Sequence, residues 1–195
     1  MPVAALTTDE IYERYLRKAI TEINRLSAEI QQAADGAPTA LPTGHPLANI
    51  FLLKFGPQAQ ELQEGVAFHG RAGNALIKSL QRLHVDPLEV YGTNCVKFAG
   101  ADLELSQRWL ARELRIVEPK LMVVMGEDAR EFVNGLGFPL SQAIAENAEL
   151  QRFTPTIEAL VVPDIDSSLD DQAAKTAFWN AFKSVGPWWA ALPPY

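Results

Sequence analysis

The sequence predicts an α/β fold, a central parallel sheet with helices on both faces. Three observations predict it. Asn49–Phe55 (N-I-F-L-L-K-F) and Leu121–Met125 are short, nearly continuous apolar runs, as expected of strands covered on both faces. Segments with apolar residues at helical spacing alternate with those runs. Turns rich in glycine and proline separate the two kinds of segment.

Thr7-Thr8-Asp9-Glu10 has the spacing of a capping box, and Ile11, Tyr12, Tyr15, Leu16, Ala19, Ile23, Leu26 and Ile30 follow on one face. This predicts a helix over Thr8–Ala33, stopped near Gly36. Pro38, Pro42, Gly44 and Pro46 predict a loop before the first buried strand. Gly56–Gly65 reads as a polar loop. Gly70–Gly73 opens a helix carrying Ala72, Leu76, Leu80 and Leu83 on one face, and Asp86-Pro87 breaks it. Val90-Tyr91 begins a short strand ending in Thr93-Asn94. Leu103–Val117 is predicted helical, with Leu105, Trp109, Leu110, Leu114 and Val117 inward. A short helix follows the Leu121–Met125 strand and ends at Gly135–Pro139, and residues 140–158 stay ambiguous. Leu160–Val162 is the last strand, Pro163–Asp171 an acidic loop, and Ala173–Val185 the last helix, with Ala177, Phe178, Ala181 and Phe182 on one face. The tail from Pro187 to Tyr195 reads as irregular chain packed on the body. One domain spans 1–195: a helix and loop over 1–47, the α/β core over 48–185 and the tail over 186–195.

A chain of 195 residues with 48% hydrophobic content is long enough for a full core. No apolar run approaches the roughly 18 residues that a membrane-spanning helix needs. The segment Met-Pro-Val-Ala-Ala-Leu lacks a basic start and an apolar centre, which predicts no secretion signal. A single cysteine, Cys95, permits neither an internal disulfide nor a four-cysteine metal site, and with it the sequence predicts a cytoplasmic protein without metal. The net charge of −7 is the wrong sign for general attraction to nucleic acid. Residues 71–120 nevertheless hold eight Lys and Arg against six Asp and Glu.

The stretch Phe68–Lys97 organises the rest. It places an aromatic residue, Phe68, and an amide, Asn94, at the two ends of a turn–helix–strand unit. In an open α/β sheet, residues at such places meet at the carboxyl edge, where ligands bind. An aromatic face with one amide suits a planar heterocycle: the ring stacks and the amide reads its edge. F-x-G-R-A-G, V-Y-x-T-N-x-V-K, a helix ending in W-L, and P-K-x-x-V-x-x-G-x-x-A together resemble the uracil-DNA glycosylase superfamily, and within it the iron–sulfur branch, family 4. The match is good from about Ala48 to Ala129 and weaker over Leu160–Phe182. The resemblance implies the glycosylase three-layer fold, with Phe68 stacking on a flipped base and Asn94 pairing with its edge. The two are expected to line one cavity. The structural alternative is a core phenylalanine and a strand-ending asparagine.

The flanking motifs depart from that family. Where it has G-E-x-P-G, this chain has Lys54-Phe55-Gly56-Pro57-Gln58, and only Pro57 matches. The family glutamate falls on Phe55. Glu61 is the one candidate left to position water, and a solvated loop carboxylate is the commoner reading. Where the family has H-P-S, this chain has Asp166-Ser167-Ser168, so Asp166 stands in place of a donor to the leaving base. Asp164, Asp170 and Asp171 share that loop and would repel phosphates. Ser168 reads as the cap of the last helix, with Asp170 and Asp171 favouring its dipole. His69, beside Phe68, either replaces the lost donor or is an exposed loop histidine; His45 and His84 read as structural or solvated. Phe98 and Ser106 stand where the family has cluster cysteines, and Cys95 reads as a small buried hydrophobe.

Two functions follow. One is an atypical base-excision glycosylase acting on uracil or a similar flipped base in DNA, single-stranded or uracil-containing, through Asn94, Phe68 and Glu61, His69 or Asp166. The other is a non-catalytic module that binds a nucleobase-like ligand or a protein partner. No cofactor is expected on either reading. One thiolate cannot hold a cluster that takes four ligands, so metal analysis of the purified protein is expected to return no iron and no labile sulfide; several irons per chain would overturn the ligand count.

Overall fold

A computed structural model of the chain describes residues 7–194. The residues read for a leader, 1–6, and the terminal Tyr195 lie outside the described residues. The fold is α/β with a six-stranded, mostly parallel sheet. Its strands are β1 (Thr43–Gly44), β2 (Ile50–Lys54), β3 (Val90–Asn94), β4 (Leu121–Met125), β5 (Gln151–Arg152) and β6 (Glu158–Val162). They are ordered β1-β3-β2-β4-β6-β5. The four inner strands are parallel, and the two-residue strands β1 and β5 close the edges antiparallel. Short edge strands leave little unpaired backbone for another chain to pair with.

The helices are α1 (Thr8–Ala33), α2 (Ala59–Glu64), α3 (Arg71–Arg82), α4 (Leu103–Val117), α5 (Glu127–Asn134), α6 (Ile165–Ser168), α7 (Gln172–Phe182) and α8 (Val185–Ala190). Strand alternation divides the core between two faces. Ile50 and Leu52 of β2, with Val123 and Leu160, meet Ala72, Leu76 and Leu80 of α3, Phe178 and Phe182 of α7, and Trp188 of α8. Phe51 and Leu53, with Met122, Val124 and Val161, meet Leu110 and Leu114 of α4 and Phe132 and Val133 of α5. Helix α1 lies outside α4, where Leu26 and Ile30 cover Trp109 and Phe98. Its start is capped as the sequence predicts, with Thr7 and Glu10 forming the box.

The sequence misplaces several boundaries. The polar stretch Gly56–Gly65 contains α2, and the acidic loop contains α6. The ambiguous segment supplies β5. The last strand begins at Glu158, and the last long helix ends at Phe182. Ala177 is exposed. Ser168 does not cap α7; its hydroxyl donates to the Asp164 carbonyl at 2.6 Å, and Asp171 caps, accepting from the Ala174 amide at 2.8 Å. The tail is not irregular at its start. Helix α8 buries Trp188, whose indole N–H donates to Glu158 at 2.7 Å.

Trp188 therefore belongs to the core beneath the sheet. Trp188→Ala is expected to cost about 3–5 kcal/mol, read as a lowered urea midpoint; a loss below about 1 kcal/mol would place the tail outside the cooperative unit.

Candidate functional site

The sheet brings the site together through its pleat and register. Lys54, the last residue of β2, pairs in register with Asn94, the last of β3. By alternation, both side chains leave the sheet on the face that carries α3. The loop before α3 brings Phe68 to the same place. Two glycines admit Phe68: a Cβ on Gly73 would lie 2.0 Å from the Phe68 carbonyl oxygen, and a Cβ on Gly92 would lie 2.8 Å from its ring. Phe68 itself has φ 61°, left-handed for a non-glycine residue, and is 7% exposed. The spacing F-x-G-R-A-G thus has a steric cause: Gly73 leaves room for Phe68's backbone.

Lys54 is fully buried and its ammonium is fully used. Nζ donates to Glu61 Oε2 at 2.6 Å, to the Gly56 carbonyl at 2.8 Å and to Asp166 Oδ2 at 2.9 Å. An ammonium has three protons to give, and each has an acceptor. The same nitrogen lies 5.7 Å from the centroid of the Phe68 ring, within cation–π range.

Glu61 is the second half of the device. It is 1% exposed, so it is not the solvated loop carboxylate that the sequence favours. Helix α2 turns it inward. Oε2 accepts from Lys54 and from the Gln58 amide at 2.7 Å; Oε1 accepts from the Phe68 amide at 2.6 Å and from Asn94 Nδ2 at 3.2 Å. One carboxylate thus ties together Lys54, the left-handed backbone of Phe68 and the amide of Asn94. Asn94 is 0% exposed, and its Oδ1 is buried with no hydrogen-bond partner among the described residues.

Phe68 and Asn94 both reach Glu61 Oε1, but they do not line the one cavity that the sequence expects of them. Lys54 stands against the Phe68 ring and shares Glu61 with Asn94. The cavity at the carboxyl edge, about 360 Å³, is lined by Phe55, Pro57, Gln58, Gly126 and the carboxylates Glu127, Asp128, Asp164 and Asp166. Pro57 is on its wall; Phe68 and Asn94 are not. Asp166 is 17% exposed at its side chain and also accepts from Gln58 Nε2 at 3.2 Å. His69 is exposed and, with Phe68, Gln60, Asn74 and Ile77, lines a different cavity of about 560 Å³ between α3 and the β1–β3 edge, which Asn94 does not reach. Asp164 caps α6, and Asp170 forms an exposed ion pair with Arg71 at 2.9 Å.

A second buried network holds the opposite face of β3. Lys97 Nζ donates to Thr93 Oγ1 and Glu113 Oε2 at 2.5 Å each and to the Asn94 carbonyl at 2.6 Å. Glu113 Oε1 accepts from Tyr91 and Thr93 at 2.9 Å each. Burial, and then the Glu113 charge, hold the Tyr91 phenol well above its ordinary range. This network fixes the backbone that carries Asn94. Burial also pushes the Cys95 thiol up, so that it stays protonated.

Phe98 and Ser106, at the cluster-cysteine positions of the resembling branch, lie beneath α1. Phe98 packs 6.2 Å from the Trp109 ring, and the Ser106 hydroxyl is buried. A phenyl ring and one hydroxyl do not suit a cluster that takes thiolates. Among the described residues no group of three His, Cys, Asp or Glu side chains is arranged to hold a metal ion, and no helix is long and apolar enough to cross a membrane.

Lys54 is the residue that sequence reasoning missed. Its signal was a lone lysine inside an apolar run seven residues before Glu61. Removing Lys54 leaves a buried carboxylate uncompensated, so Lys54→Ala is expected to cost about 3–5 kcal/mol in urea unfolding. Lys54→Met with Glu61→Gln should recover a large part of that loss, and failure to do so would show that packing, not the ion pair, sets the cost.

Residues 41–184, most of the chain, match the family model of the uracil DNA glycosylase superfamily.

Proposed function

The chain belongs to the uracil-DNA glycosylase superfamily, and from that premise we propose that it is a non-catalytic member, a binding module whose base pocket is filled by its own lysine. One observation carries this reading. The fully buried Lys54 ammonium stands over Phe68 with all three protons committed to Glu61, Asp166 and Gly56.

The chemistry runs the same way. Uracil leaves its sugar as an anion, and catalysis requires donors preorganised where that charge develops. Glu61 and Asp166 present acceptors instead. The Lys54 charge between them is neutralised, and none of its protons is free for a leaving base. The edge cavity adds Glu127, Asp128 and Asp164, which repel the phosphates that would flank a flipped nucleotide.

A second reading, the atypical glycosylase, has one observation of its own. Asn94 Oδ1 is a buried acceptor with no partner among the described residues, a state that costs about 1–3 kcal/mol and that a base edge would relieve. On this reading Lys54 withdraws, Glu61 positions water, and His69 supplies the proton.

Uracil release from single-stranded DNA separates the two. The natural chain is expected to show none above background, since a single lost donor costs about 10²–10³ in rate. Lys54→Gly with Asp166→His opens the space and restores a donor, and this pair is expected to create measurable release. Turnover by the natural chain that disappears in His69→Ala would establish the glycosylase reading and end the first.

A further inference from the structure

Helices α1 and α4 pack against each other on the outer face. Helix α4 begins at the carboxyl edge, after β3, and ends at the opposite edge, before β4. A groove of about 350 Å³ runs between the two helices. It is lined by Lys18, Glu22 and Arg25 of α1 and by Arg112, Arg115 and Ile116 of α4. Four cations thus converge with one carboxylate on a chain whose net charge is −7.

The cations form rows. Arg14, Lys18 and Arg25 are spaced by four and seven residues along α1, and Arg108, Arg112 and Arg115 by four and three along α4, so each row keeps to one side of its helix. Carboxylates pair with three of them and leave two arginines of the groove unpaired among the described residues. Glu29 holds Arg112 at 2.6 Å, Glu104 holds Arg108 at 2.9 Å, and Glu22 stands 4.0 Å from Lys18. Arg25 and Arg115 form no ion pair among the described residues; Arg115 lies over the Phe138 ring at 5.7 Å. Both are exposed.

We propose that this groove docks the phosphate backbone of a nucleic acid strand. Guanidinium forks match phosphate oxygens in pairs. Lys18 and Arg25 lie about 10 Å apart along the helix, far enough to meet different phosphates of one strand. A concave groove suits a strand, whereas a bilayer meets a convex patch. The acidic carboxyl edge would repel the same backbone, so contact is directed to this outer face. The inference rests on the binding-module reading and names its partner. It places that partner away from the Lys54 site, so its failure is distinguishable from failure of the pocket reading.

The test is fluorescence anisotropy of a labelled single-stranded oligonucleotide with the full chain. Neutralising three or four phosphates predicts an affinity loss of about 20- to 50-fold between roughly 50 and 200 mM salt. Arg25→Glu with Arg115→Glu is expected to abolish binding at the lower salt while leaving the thermal unfolding midpoint within a degree or two of the parent, since both side chains are exposed. Lys78→Glu, exposed on α3 across the sheet, is expected to leave binding unchanged. Absence of binding, binding that the double variant does not weaken, or equal binding to polyglutamate or to phosphatidylserine vesicles would overturn the assignment.

Discussion

The pairing of Lys54 with Glu61 is the interaction on which the site depends. Both groups are shut away from water, where a lone charge costs several kcal/mol even after relaxation. The pair persists because every polar valence is met: three acceptors around the ammonium and four donors around the carboxylate. Those bonds do more than neutralise charge. The Phe68 amide is held in a left-handed turn by Glu61 Oε1, and Asn94 Nδ2 is oriented by the same oxygen. Without Glu61, the aromatic and the amide would have no shared anchor.

The pleat of β3 sorts two lysine–glutamate devices to opposite faces. Asn94 points toward Lys54 and Glu61, while Tyr91 and Thr93 point toward Lys97 and Glu113. Lys97 also binds the Asn94 carbonyl, so one residue is gripped from both sides: its side chain by Glu61 and its backbone by Lys97. A polar residue held this firmly is preorganised, and its Oδ1 stays without a partner among the described residues. The strain of an unmet acceptor is sustained by networks that are otherwise fully satisfied.

Much of this was legible in the sequence. Apolar runs marked the inner strands, and helical spacing marked α1 and α4 at their observed bounds. The glycines at 70 and 73 marked the turn that seats Phe68. What was not legible depended on direction rather than composition. Gly56–Gly65 is polar, and polarity alone placed Glu61 in solvent; the six-residue helix α2 turns it inward instead. Lys54 sat inside a run correctly read as buried, but its charge required a partner that sequence separation did not reveal, since Asp166 lies 112 residues away. The tail was read from its prolines, although Pro187 sits within the first turn of α8, where a missing N–H is tolerated. The family resemblance supplied the meeting of Phe68 and Asn94, and it could not supply the residue that stands between them.

The net charge of −7 conceals a segregation of sign. Carboxylates gather at the carboxyl edge, around Asp164, Asp166, Glu127 and Asp128, and cations gather between α1 and α4 at the other side of the sheet. At physiological ionic strength, fields between exposed charges fade over about 8 Å, so each region acts on its own neighbourhood and the whole-chain charge governs neither. The edge that serves as the ligand crevice in open α/β sheets here gathers carboxylates, and the buried Lys54 beside it is already neutralised. The outer helical layer carries the groove lined by four cations. On α1, Leu26 and Ile30 cover Phe98 and Trp109, and the cations beside them on the same helix complete the groove with α4.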